Sequence, residues 1–272
     1  MIVDRAAAVL AEHGIDTARV DAEWIVAHVA GVARSELVAL SHEVDEARVW
    51  PLVERRASRE PLAYVLGEWG FRRLTLRCDA RALVPRPETE QVVERVLELC
   101  RNAGSGSEPQ TPARVLDVGT GTGAIALALA DELGADVVAT DVSDDALQLA
   151  RENAERLGLA VRFLHSDVMH GLPAGPFDVV VSNPPYVGAE ELAALEPEVR
   201  DWEPREALVD DGQTEALVGR ALDVLRPGGA LVVEIHELRG PEIAALLEAV
   251  GYQGVKIARD LTGRDRMVEG TR

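Results

Sequence analysis

The sequence predicts an α/β architecture: a seven-stranded, mostly parallel sheet with helices on both faces, preceded by a small N-terminal helical bundle. Three observations carry this. From residue 114 onward, apolar strand-like segments alternate with amphipathic helical ones. A glycine-rich turn, Gly119 to Gly123, separates the first of these strands from its helix. Residues 1–67 show only helical periodicity.

The helical region comes first. DAEWIVAHVAGV spaces Trp24, Ile25, His28, Val29 and Val32 along one helix, with Gly31 near its end. EARVWPLVERRASRE predicts another, with Pro51 at its start. About four short helices are expected in all, with Trp24, Trp50 and Tyr64 as core residues. Phe71, Leu74 and Leu76, interleaved with arginines, predict a short strand pair. VPRPETEQVVERVLELCRNA opens a helix with Pro87 in its first turn and Glu88 and Glu90 set to favour its dipole. NAGSGSEPQTPA, 102–113, reads as a surface loop or linker.

After that loop the alternation begins. ARVLDVG, DVVATDV, VRFLHSDV, FDVVVSN and GGALVVEI read as strands, and VKIARDL and DRMVEGT as two more. The last two are joined so briefly, through Thr262, Gly263 and Arg264, that they should pair antiparallel. The intervening helices include SDDALQLARENAERLG, with Ser143 as N-cap. The expected division is residues 1–70 as a helical recognition domain, 71–84 as a hairpin linker, and 85–272 as the catalytic domain.

Composition narrows the function. The chain has 272 residues, of which 47% are hydrophobic, enough for a sizeable core. No apolar run approaches the roughly 18 residues a membrane helix needs. The N-terminus lacks a basic start followed by an apolar stretch, so it does not read as a signal peptide. Cys78 and Cys100 fall in different segments without metal-ligand spacing. They are expected to be reduced and structural, in a cytoplasmic protein without a metal. The net charge is −19, from 47 acidic and 28 basic residues, and no basic stripe is visible. A protein gripping a phosphate backbone usually shows one, so stable nucleic-acid binding is disfavoured.

RVLDVGTGTGAIALALA carries the first chemical signal. Gly119, Gly121 and Gly123 let the backbone turn sharply and approach a ligand, while the following helix offers free N–H groups. Asp141, twenty residues after Gly121, ends the next strand, where a carboxylate accepts from ribose hydroxyls. A nucleoside-containing cofactor follows. Because Gly119, Gly121 and Ala124 also fit the dinucleotide spacing, the loop alone leaves NAD open. Asp117, inside an apolar strand, either braces the loop or meets the cationic end of a cofactor.

SNPPY, after the strand FDVVVS, carries the second. The Asn183 side chain offers an acceptor oxygen, and Pro184 a carbonyl aimed by the diproline Pro184–Pro185. Two fixed acceptors hold both hydrogens of a planar NH2 group, and Tyr186 offers a face for stacking. Such a receptor suits a poorly nucleophilic nitrogen directed at the methyl of S-adenosylmethionine.

At this point the sequence resembles the protein-(glutamine-N5) methyltransferases of the PrmC/HemK type, which modify class 1 peptide chain release factors. The likeness covers nearly the whole chain. It rests on VLDVGTGTGAIALALA, SNPPY, EPLAYVLGEWGF, LVPRPETE, EVRDWEPREAL and DLTGRDRMV. NPPY alone is shared with adenine-N6 and guanine-N2 methyltransferases. NPPY with PRPETE and the helical N-terminal region is far more specific.

The resemblance implies a Rossmann-like class I S-adenosylmethionine-dependent methyltransferase fold. It implies S-adenosylmethionine as donor and the glutamine of a release-factor GGQ loop as acceptor. Carried over by position, Gly119, Thr120, Gly121, Thr122, Gly123 and Asp141 bind the cofactor. Asp167 and Val168 lie by its adenine, Asn183 contacts both ligands, and Pro184, Pro185 and Tyr186 grip the glutamine. Val168 stands where some relatives carry an aromatic, and His236 and Arg239 where a glycine and a glutamine are commoner. His236 reads as a structural strand-end residue. Arg86 and Glu90 either shape the cofactor pocket or only start a helix. A monomer acting on a release factor is expected; a nucleic-acid N-methyltransferase using the same site is the alternative.

Overall fold

The computed structural model describes residues 2–39, 44–103, 112–260 and 262–272. Its first half contains α1 (Ile2–Glu12), α2 (Ala18–Ala30), α3 (Glu46–Ala57), α4 (Leu62–Leu66), β1 (Glu68–Phe71), β2 (Leu74–Arg77) and α5 (Thr89–Ala103). Then come β3 (Arg114–Val118), α6 (Ala124–Leu133), β4 (Asp136–Asp141), α7 (Asp144–Leu157), β5 (Arg162–His165) and β6 (Phe177–Ser182). The chain ends with α8 (Pro197–Arg200), α9 (Gln213–Val224), β7 (Leu225–Glu234), α10 (Gly240–Val250), β8 (Gln253–Arg259) and β9 (Asp265–Thr271). Most of the loop expected at 102–113 lies outside the described residues. Contacts divide the chain into two units, Met1–Trp69 with Leu195–Trp202, and Gly70–Ala194 with Glu203–Arg272.

In the first unit, one apolar face of each helix builds the core. Ala6 and Leu10 of α1 and Ala22, Ile25 and Val26 of α2 pack with Val49 and Val53 of α3. Gly31 ends α2 in the left-handed conformation. The Asp45 carboxylate caps α3, accepting from the Ala47 N–H at 3.1 Å. That cap places Pro51 inside α3 rather than at its start. The helix tolerates the missing donor because Val49 and Val53 bury its inner face. Tyr64 is buried as expected, but Trp24 is 38% exposed. Its ring lies 5.9 Å from that of Trp69, beneath the Arg34 guanidinium. Indole is large enough to pack one edge and leave the other wet.

Arg56 is the charged centre of this unit. It bonds Asp21 at 2.7 Å and Glu198 at 2.8 Å, and its side chain and that of Asp21 are only 7% and 6% exposed. Removing one member of a buried pair leaves the other uncompensated, which costs about 3–5 kcal/mol.

The second unit holds the sheet, in the order β5-β4-β3-β6-β7-β9-β8. Neighbours from β5 through β7 are parallel, while β9 runs antiparallel to both β7 and β8. The last two strands thus pair as their short connection requires. Alternation sorts the side chains by face. Val115, Val179, Val181 and Val232 join the residues of α5 and α6 in one core, and Leu116, Val180, Leu231 and Val233 join α9 and α10 in the other. The β1–β2 hairpin contributes Phe71, Leu74 and Leu76 to the first core. Ser143 caps α7, its hydroxyl accepting from the Ala146 N–H at 3.2 Å. The helix at PRPETE begins at Thr89, so Pro87 and Glu88 form the turn before it rather than its first turn.

Arg56→Ala is expected to lower the stability of the first unit by about 3–5 kcal/mol. All four tryptophans, Trp24, Trp50, Trp69 and Trp202, belong to that unit, so tryptophan fluorescence during urea unfolding reports the change directly. An unmoved midpoint would contradict the buried pair.

Candidate active site

The parallel pairing of β3 with β6 sets Val118 opposite Ser182. The glycine turn and Asn183 therefore leave the sheet side by side, at the carboxyl ends of adjacent strands. Open parallel sheets bind ligands at such ends, where the strand order reverses. A cavity of about 290 Å³ opens there, lined entirely by residues of the second unit. Its walls include Gly119, Thr120, Gly121, Thr122, Asp141, Asp167, Val168, Asn183, Pro184 and Pro185. Ten of the twelve residues expected at the site are thus brought to one place.

The two others adjoin the wall without lining it. Gly123 starts α6, where an added Cβ would stand 3.0 Å from Leu127 Cδ1 and 3.3 Å from Ala150 Cβ. Its φ of +85° is also one that side chains rarely adopt, so it serves close packing rather than the cavity wall. Tyr186 packs with its ring 6.1 Å from that of His236. His236 Nδ1 accepts from the Leu238 N–H at 3.3 Å, a structural role just beyond the end of β7.

Carboxylates organise the glycine turn. The Gly119 and Thr120 N–H groups bond the Thr140 carbonyl at 2.8 and 2.9 Å. Asp141 accepts from the Gly121 N–H at 2.9 Å and the Ser143 N–H at 3.0 Å. Burial raises its pKa, against the pull of these N–H groups. Each oxygen retains acceptor capacity for further hydroxyls. Asp117 is completely buried; one oxygen accepts from the Thr120 hydroxyl at 2.7 Å, and the other has no partner. Desolvation pushes its pKa up to about 7. Asp167 is held low, chiefly by the Met169 N–H and then by His170.

The two arginines on the wall are already paired. Arg86 bonds the buried Glu203 at 2.5 Å, and Arg81 is shared by Asp79 and Glu152. Asp141, Asp167 and Glu206 on the wall are not balanced by any lysine, since the single Lys256 lies in β8. Such a cavity suits a cationic nucleoside better than a dinucleotide with its pyrophosphate. An orphaned buried carboxylate oxygen on Asp117 fits the same charge. Among the described residues no cluster of His, Cys, Asp or Glu is placed to hold a metal ion.

Asn183 is held from outside the NPPY segment. Its Nδ2 donates to the Thr89 hydroxyl at 3.2 Å. Thr89 opens α5 and is only 4% exposed. Sequence reasoning passed over it: it lies within PRPETE, 94 residues from Asn183, and only the fold joins them. Of its neighbours in that motif, Arg86 lines the cavity, whereas Glu90 accepts from the Arg72 N–H at 2.9 Å and anchors the β1–β2 turn.

The sheet order and the strand-end site define a class I methyltransferase. A family model described as a methyltransferase domain matches residues 110–254, and one described as the PrmC N-terminal domain matches residues 2–67. The chain is 44% identical to the release factor glutamine methyltransferase of Deinococcus radiodurans, over 100% of this chain and 97% of that one. It is 39% identical to the protein of the same name from Caulobacter vibrioides, over 97% and 92%. Among solved structures, the fold is similar to the hMettl16 catalytic domain in complex with the MAT2A 3'UTR hairpin 6, with a TM-score of 0.59 and 18% identity over 80% of this chain and 81% of that one. It is also similar to a methyltransferase from Pyrococcus furiosus, with a TM-score of 0.52 and 21% identity over 72% and 87%. The protein belongs to the release factor glutamine methyltransferase family.

Asp117 supplies a test by pH. Its folded pKa of about 7 stands above the ordinary 3.8, so the folded state binds its proton more tightly than the unfolded chain. Its contribution to stability is complete below about 4 and is lost as pH rises toward about 7. Asp117→Asn removes that loss. The melting temperature of the variant minus that of wild type should grow between those pH values, as read by scanning calorimetry; a difference independent of pH would contradict the buried carboxyl.

Proposed function

We propose that this enzyme transfers a methyl group from S-adenosylmethionine to the side-chain amide nitrogen of the glutamine in the GGQ motif of class 1 peptide chain release factors. The observation that carries the reading is the position of Asn183, on the cavity wall beside the glycine turn, with its amide nitrogen engaged by Thr89. Kinship with release factor glutamine methyltransferases over the full chain supports the choice of substrate.

When bound, S-adenosylmethionine supplies an electrophilic methyl on a sulfonium that departs as a neutral thioether. The residues that would hold it are Gly119 to Thr122, Asp141, Asp167 and Val168, with Asp117 balancing positive charge from below. Asn183 has its nitrogen committed to Thr89, so its oxygen is the atom offered to the substrate. That oxygen and the Pro184 carbonyl accept the two hydrogens of the glutamine amide and fix the plane of its nitrogen. Both acceptors strengthen as positive charge grows on that nitrogen. Pro184 is buried and Pro185 follows it, so the carbonyl costs little reorganisation to aim. Tyr186 supports the segment from its place against His236. The nitrogen releases its surplus proton to water.

Residues 1–70 serve to recognise the release factor, 71–84 join the parts, and 85–272 carry out the transfer. The protein works as a cytoplasmic monomer without a stable nucleic-acid partner. The charge of −19 disfavours a nucleic-acid partner.

Mass spectrometry of a co-expressed release factor should find one extra methyl on the GGQ glutamine. Asn183→Ala should lower kcat by about a hundredfold to a thousandfold while leaving S-adenosylhomocysteine affinity within a few fold. Methyl groups appearing only in nucleic acid would overturn the assignment.

A further inference from the structure

Glu234 is the last residue of β7, and nothing in the mechanism above uses it. Its position is set by register. Ser182 pairs with Val233 across the parallel β6–β7 ladder, so Asn183 and Glu234 are the next residues on two adjacent strands. Glu234 is 1% exposed, and its Oε2 has no hydrogen-bond partner. A bare buried carboxylate oxygen costs free energy unless some function retains it.

The groups facing it come from several elements. Thr89 belongs to α5, Arg86 and Glu88 precede that helix, Arg266 comes from β9, and Tyr186 follows β6. Both arginines have other carboxylates: Arg86 bonds Glu203 at 2.5 Å, and Arg266 bonds Asp260 at 3.2 Å. Burial accordingly pushes the Glu234 carboxyl up to about 7, against the pull of Thr89 first and the arginines after it.

Thr89 bonds Asn183 at 3.2 Å and lies on the side of Glu234, and a hydroxyl has one proton to give. An ionised Glu234 is purely an acceptor, so it takes that proton. The Thr89 oxygen can then only accept, and the Asn183 group able to donate to it is Nδ2, as the 3.2 Å bond shows. A protonated Glu234, or a glutamine in its place, can donate to Thr89 instead. The hydroxyl proton is then free for the Asn183 oxygen, and the amide turns over to present its NH2 where an acceptor is needed.

We propose that Glu234 is a positioning residue for methyl transfer, holding the Asn183 amide through the Thr89 hydroxyl with its oxygen toward the substrate. The proposal rests on the function assigned above but is testable without substrate. In wild type, the Asn183 side-chain amide resonance should titrate with a midpoint of about 7, and kcat should rise with pH through the same midpoint. Glu234→Gln should abolish both titrations and lower kcat at high pH by up to about a hundredfold, with KM for the release factor unchanged. Thr89→Ser should behave as wild type, and Thr89→Val should reproduce the loss.

An Asn183 resonance that does not titrate in wild type, or Glu234→Gln with wild-type kcat and pH profile, would overturn the proposal. If Glu234→Gln fails to fold, equal kcat in Thr89→Ser and Thr89→Val overturns it. A wild-type enzyme that methylates no release factor counts against the assigned reaction, and the amide titration still decides the network.

Discussion

The Ser182 hydroxyl donates to the Val118 carbonyl at 2.6 Å, closing the ladder between β3 and β6 at its carboxyl end. Every feature of the site depends on that junction. It sets where the glycine turn leaves one strand and where Asn183 leaves the other. A slip of one residue would turn Asn183 to the opposite face of the sheet. The paired valines of β3, β6 and β7, buried on both faces, hold the register against such a slip. Chemistry at the strand ends is thus positioned by packing several residues away.

Electrostatics complete the design of the cavity. Asp117 and Glu234 are both buried, each has an oxygen without a partner, and both are raised toward neutrality. Asp117 lies in β3, just before the glycine turn, and Glu234 ends β7. The cavity's arginines are neutralised by carboxylates of their own. The pocket is thus negative and partly apolar, which favours a cationic cofactor.

Much of this was legible in the chain. The alternation of VLDVG, AIALALA and VVATD could only become parallel strands and crossover helices, and glycines with an acid twenty residues on mark a nucleoside site whatever the cofactor. Asn183 and the diproline announced themselves because an amide at a strand end has few structural uses. The rest depended on contacts between distant segments. Thr89 gave no signal, because a threonine at a helix start reads as ordinary helix chemistry. Glu234 looked like a strand residue until register set it beside Asn183. Pro51 misled because its preference for helix starts is weaker than the Asp45 cap that precedes it. Residues 195–202 belong with the helical unit, which no local pattern in EPEVRDWE could reveal.

In the proposed reaction the oxygen of Asn183, not its nitrogen, meets the substrate. A crystal structure of the enzyme with S-adenosylhomocysteine and a glutamine-bearing release-factor peptide decides this. The glutamine NH2 should donate to Asn183 Oδ1 and to the Pro184 carbonyl, while Asn183 Nδ2 stays on Thr89. A glutamine oxygen facing residue 183, or Asn183 turned away from the peptide, would contradict it.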